Sequence, residues 1–69
     1  MTANDVYLSI PAFIAARMTW GMARDRNVAI YHVQRVLESR RSCETREDFV
    51  QAGLDAVAAV DSAIEVWGV

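Results

Sequence analysis

The stretch from Thr45 to Trp67 constrains the rest of the chain more than any other. Thr45 followed by Asp48 has the capping-box form T-x-x-D, in which the two side chains satisfy backbone N–H groups left without partners at a helix start. Glu47 and Asp48 then lie at the positive end of the helix dipole. Projected at about 100° per residue, Gln51, Asp55, Ser62 and Glu65 share a narrow polar strip, while Phe49, Gly53, Ala56, Val60, Ala63 and Trp67 line the opposite side. Ala52, Ala56, Ala59 and Ala63 add a ridge of small side chains beside Gly53, which suits close helix packing. Gly68 stands where a left-handed residue ends a helix. A helix apolar over about half its circumference has to bury that half against something.

The partner has to come from upstream. Residues 1 to 8 read as an extended arm or a ragged helical turn. Ser9 suits an N-cap, and Pro11 is tolerated in a first turn that needs no donor there, so a helix is expected from near Ile10. Two readings of its end are open. In one, Arg24-Asp25-Arg26-Asn27 breaks it and Asn27 caps a second helix from Val28 to Arg41. In the other, one helix runs from Ile10 to Arg41. No proline or glycine occurs between Met22 and Arg41, and Ala15, Met18, Met22, Ala29, Val33, Val36 and Leu37 stay within roughly a third of the circumference, which favours continuity. A strand over Val28 to Val33 would have no second strand to pair with. The expected fold is therefore all-α in a single domain, 1–69: a helical hairpin (long helix about 10–41, helix 46–67) or a three-helix bundle. Ser42-Cys43-Glu44-Thr45 is the one secure loop. A helix of about 32 residues is roughly 48 Å long against roughly 33 Å for its partner, so a lone hairpin leaves the longer arm uncovered.

Composition points to association. A chain of 69 residues builds a core that rarely supplies more than about 3–5 kcal/mol. Its single cysteine excludes an internal disulfide, and one cysteine with one histidine cannot form a four-ligand zinc site. Hydrophobic residues nonetheless make up 54% of the chain, so part of that apolar surface is expected to meet another chain, in a homodimer. Residues 1 to 41 carry six arginines against Asp5, Asp25 and Glu38, net +3, and residues 42 to 69 carry Arg46 against six acids, net −5. The two halves complement each other within a chain or across a dimer. The run from Val6 to Ala23 is interrupted by Ser9, Pro11, Arg17 and Thr19 and is short for a membrane span. The opening MTANDVYL lacks a basic n-region, so the expected location is cytoplasmic, without membrane contact.

On a continuous first helix, Phe13, Trp20 and Tyr31 project together with Arg17, Arg24 and Arg35 in the adjacent row. Trp, Tyr and Arg are the residue types enriched at binding hot spots, because they bury much area and keep a polar handle. These six are the expected partner-binding residues, against the competing use of the same aromatics in a core or dimer interface. His32, near Ile14 and Asp25 in that projection, has no nucleophile or pocket specified beside it and reads as a surface or packing residue. Cys43 reads as a reduced loop thiol, and Asp55, Asp61 and Glu65 as a solvated face. No phosphate loop, metal-ligand spacing or nucleophile motif occurs, so no catalytic, metal or cofactor residues are expected. Arg35, Arg40 and Arg41 could meet phosphates, but an acidic pI near 5.1 and the lack of lysine weigh against nucleic acid. The expected function is a small non-enzymatic inhibitor, adaptor or regulator that binds another protein, of the kind phages and mobile elements encode. A dimeric DNA-binding regulator or antitoxin is the alternative.

Overall fold

A computed structural model describes residues 10–67, and all regular structure among them is helical. Helix α1 spans Ile10–Ala23, α2 Arg26–Arg40 and α3 Arg46–Trp67, and each packs against the other two. The arm at residues 1–8, the cap at Ser9 and the stop at Gly68 lie outside the described residues. With 22 residues, α3 is about 33 Å long and nearly matches the 35 Å long dimension of the molecule. Helices α1 and α2, of 14 and 15 residues, are each about two thirds of that length.

The start of α3 is built as its sequence implies. The Thr45 hydroxyl accepts from Asp48 N–H at 3.1 Å, and the Asp48 carboxylate accepts from the backbone N–H of Thr45 at 3.0 Å and of Glu44 at 3.1 Å. Those two backbone donors, Thr45 first, together with the Thr45 hydroxyl, hold the Asp48 carboxyl below the usual carboxylate range.

The continuous helix expected over 10–41 does not form. Arg24 adopts a left-handed φ of 54° and its N–H donates to the Trp20 carbonyl at 3.0 Å, the five-to-one bond that closes a helix C-terminus. Asp25 is then extended, at φ −126° and ψ 119°, and its carboxylate accepts from Asn27 N–H at 2.9 Å and Val28 N–H at 3.2 Å. The cap of α2 is thus Asp25 rather than Asn27. Glycine is the usual residue at a left-handed helix end, and here an arginine occupies it. The end of α2 repeats the device. Ser42 has φ 51°, and Cys43 N–H reaches the Glu38 carbonyl at 3.5 Å while Arg41 N–H reaches Leu37 at 2.9 Å.

The break resets the helical phase. Ala29, Val33 and Leu37 of the expected core row are buried, but Met18 and Met22 of the same row face outward. The buried residues are Ala12 and Ala16 from α1, Ala29, Val33 and Leu37 from α2, and Ala52, Ala56, Ala59, Val60 and Ala63 from α3. Seven of these ten are alanine, and the largest fully buried side chains are Val33 and Val60. The alanine ridge of α3 lets the helices approach closely, as its spacing implies. Gly53 extends it: a Cβ there would meet the Gln34 side chain at 3.3 Å. A buried methyl contributes about 0.8 kcal/mol against about 1.5–3 kcal/mol for a buried Val or Leu, so this interior is a weak one for its number of buried residues.

Candidate partner-binding face

What the interior lacks, the outside carries. Helix α1 has a single charged residue, Arg17, and its outward ridge is Ile14, Met18 and Met22, which are 54%, 63% and 85% exposed. These recur at four-residue intervals, so they stand one above another on one side of the helix. A helix that is apolar all round is ordinarily covered on every side. Here one side is open.

Two shallow grooves flank the ridge and share Met22. One, of about 620 Å³, is lined by Phe13, Ile14, Arg17, Met18, Gly21, Met22 and Trp67. The other, of about 550 Å³, lies between α1 and α2 and is lined by Thr19, Met22, Ala23, His32, Arg35 and Val36. Neither lining contains a carboxylate. The charge they present is the guanidinium groups of Arg17 and Arg35.

The six residues expected to bind a partner do not form one row, because the helix that would align them is broken. Phe13 and Arg17 join Trp67 from the far end of α3: the Phe13 and Trp67 rings lie 4.8 Å apart at 48°, and the Arg17 guanidinium stacks 4.5 Å from the Trp67 ring centroid. Tyr31 and Arg35 form a second group on α2, with the guanidinium 6.0 Å from the Tyr31 ring, and His32 meets Tyr31 edge-on at 5.6 Å. Trp20 is half-buried against the core. Arg24 forms the left-handed turn. Phe13, Arg17 and Arg35 therefore line the grooves, whereas Trp20 and Arg24 shape the fold.

The residues that sequence reasoning placed elsewhere are Met18 and Met22, assigned to the core row, and Trp67, assigned to the apolar side of α3. Nothing local distinguishes an outward methionine from an inward one on a helix without a polar face. Only the direction set by the Arg24–Asp25 break does so.

A second outward surface lies on α3. Val50 and Leu54 are 55% and 56% exposed and Phe49 is also exposed, with Val57 and Ile64 half-buried further along. The series Val50, Leu54, Val57, Asp61, Ile64 is spaced four, three, four and three, the repeat of a helix-packing seam. Asp61 sits within it, gripped by Arg26 from α2 through Nε at 2.7 Å and Nη2 at 3.1 Å. This carboxylate holds the Arg26 guanidinium above its ordinary pKa, through hydrogen bonding first and charge second. Arg41 pairs with Asp55, which also accepts from Gln51 Nε2 at 2.9 Å.

Cys43 is half-buried beside the start of α3, with its thiol 3.7 Å from the Asp48 carbonyl it donates to. Among the described residues no group of three or more His, Cys, Asp or Glu side chains is placed to hold a metal ion, and no helix is long and apolar enough to cross a membrane. No protein family, curated protein or solved structure matches the chain.

Proposed function

We propose that this chain works by binding other proteins, as a homodimer that serves as a small non-enzymatic inhibitor, adaptor or regulator. The observation that carries this reading is the inverted distribution of side-chain size. The interior is packed with alanine, while Ile14, Met18, Met22, Tyr31, Val50, Leu54 and Val66 are more than half exposed. Large apolar side chains left in water at this density mark surfaces that a partner covers. Methionine suits such a surface because its unbranched, polarisable side chain adapts to the shape it meets. The arginines at the rim supply orientation and register.

The test is a comparison of two baits. Tagged wild-type chain and the variant Tyr31→Glu are used to capture proteins from nuclease-treated lysate of the native host, after circular dichroism shows equal helicity. A stoichiometric protein recovered by the wild type and lost by the variant is the expected result. Equal recovery by both baits would place binding elsewhere. Capture of nucleic acid alone, from lysate without nuclease and with affinity falling steeply in salt, would replace this reading by the DNA-binding one.

A further inference from the structure

We propose that the outward ridge of α1 is covered by the outward seam of α3 from a second copy of this chain. This rests on the reading of both exposed faces as binding surfaces, and it names what covers them. Among the described residues two apolar helix faces are exposed, the α3 one only in part because Ile64 packs against the core, and their flanking charges are opposite. Helices α1 and α2 with their turns, Ile10 to Arg41, contain six arginines against Asp25 and Glu38. Helix α3 contains five acids against Arg46, and no basic residue follows Arg46. The grooves beside the α1 ridge hold Arg17 and Arg35 and no carboxylate. Within the α3 seam Asp61 is already engaged by Arg26, and the carboxylates it offers a second copy are Glu47 and Glu65 at its ends. Pairing α1 with α1 of another copy would bring arginine to arginine. Pairing α1 with α3 brings arginine to carboxylate, as flanking charges do when they select helix partners.

Spacing agrees with charge. On α1, Ile14, Met18 and Gly21 are separated by four and three residues, the same repeat as the α3 seam, so ridges of one helix can enter grooves of the other. Gly21 supports the contact independently. It lies inside α1, without positive φ, and a Cβ built there meets nothing within 4 Å. Among the described residues no contact requires glycine at this place, whereas a facing helix at close range would. Made reciprocally, α1 of each copy on α3 of the other, the contact closes as a two-fold dimer and leaves Tyr31 on α2, 57% exposed in the single chain, for another protein. A standard interface takes about 800 Å² from each partner, about a sixth of the 4791 Å² surface of this chain.

Size-exclusion chromatography with light scattering over a concentration series tests this on the wild type, Met18→Glu, Leu54→Glu and an equimolar mixture of the two variants carrying different tags. Both substituted side chains are exposed in the single chain, so helicity should be unchanged. The expected result is a dimer, or a larger closed assembly, for the wild type, monomers for each variant alone, and a one-to-one complex in the mixture, since one variant keeps its α3 seam and the other its α1 ridge. A wild type that stays monomeric overturns the inference together with the homodimer of the proposed function, while capture of another protein through Tyr31 would still stand. A dimer lost in Met18→Glu but kept in Leu54→Glu, with no complex in the mixture, means that α1 pairs with itself. Gly21→Ala gives a readout that a folding defect cannot imitate, because alanine favours helix. It should raise the thermal stability of the monomer and weaken assembly by about tenfold, and an unchanged dissociation constant would exclude close approach at Gly21.

Discussion

Helices α1 and α3 reach the same packed interior with opposite kinds of sequence. Helix α3 begins with a reciprocal cap, keeps acids in its first turn, and sets an alanine row against its neighbours, so its existence, start and buried alanine row follow from residue order, although Phe49 and Trp67, expected on the same apolar side, are exposed. Helix α1 has no acid in its first turn and no polar face. Alanine, isoleucine, methionine and tryptophan occur on every side of it. The difference shows that amphipathicity encodes orientation as well as helix formation. When a helix is apolar all round, the sequence specifies that it is buried but not which side its own chain buries.

That contrast can be broken most forcefully in the alanine row. Ala56→Leu inserts a large side chain where the helices touch and should destabilise the fold by about 1–3 kcal/mol in a denaturant titration. Met22→Glu, on the open side of α1, should shift the same titration by no more than about 0.5 kcal/mol at concentrations that keep the chain monomeric. Equal costs would mean that α1 is covered within the single chain.

Next in size is the cap. Thr45→Ala removes the hydroxyl that accepts from Asp48 N–H and should cost about 0.5–2 kcal/mol, read as a lower melting temperature with the first turn of α3 frayed in hydrogen exchange. At the end of α1, where an arginine holds a left-handed turn, Arg24→Gly should act in the opposite direction and stabilise by about 0.5–1 kcal/mol. A destabilising result would show that Arg24 makes contacts worth more than its backbone strain.

The smallest effect is a dependence on pH. Asp48 has a folded pKa below its unfolded value, so the folded state binds fewer protons there. Its contribution is complete above the unfolded carboxylate value, about 4, and is lost as pH falls through the lower folded value. Melting temperatures followed into acid should therefore decline less steeply for Asp48→Asn than for the wild type.

Legibility followed the same division. The pattern Thr45–Asp48 and the spacing of Ala52, Ala56, Ala59 and Ala63 were sufficient for α3, because a cap and a row of small residues each act through neighbours within one or two turns. Phe13, Arg17, Trp20, Arg24, Tyr31 and Arg35 could be recognised as chemically suited to a partner, yet their grouping depended on a straight helix. The closure that decides the matter, at Arg24, uses a residue that carries no turn signal. Asp25 does carry one, but Asp25 and Asn27 are both good caps, and choosing between them requires knowing where the preceding helix ends.

The sequence by itself determined that the chain is helical, where its last helix starts, and that its apolar content exceeds what so small an interior can hold, because these follow from local hydrogen bonding and composition. Only the tertiary structure decided where the first helix breaks and that Met18, Met22 and Trp67 border one open face. A left-handed turn at a non-glycine residue is retained when the packing it permits outweighs its strain. That packing places Ala12, Ala16, Val33, Val60 and Ala63, residues far apart along the chain, in one buried cluster.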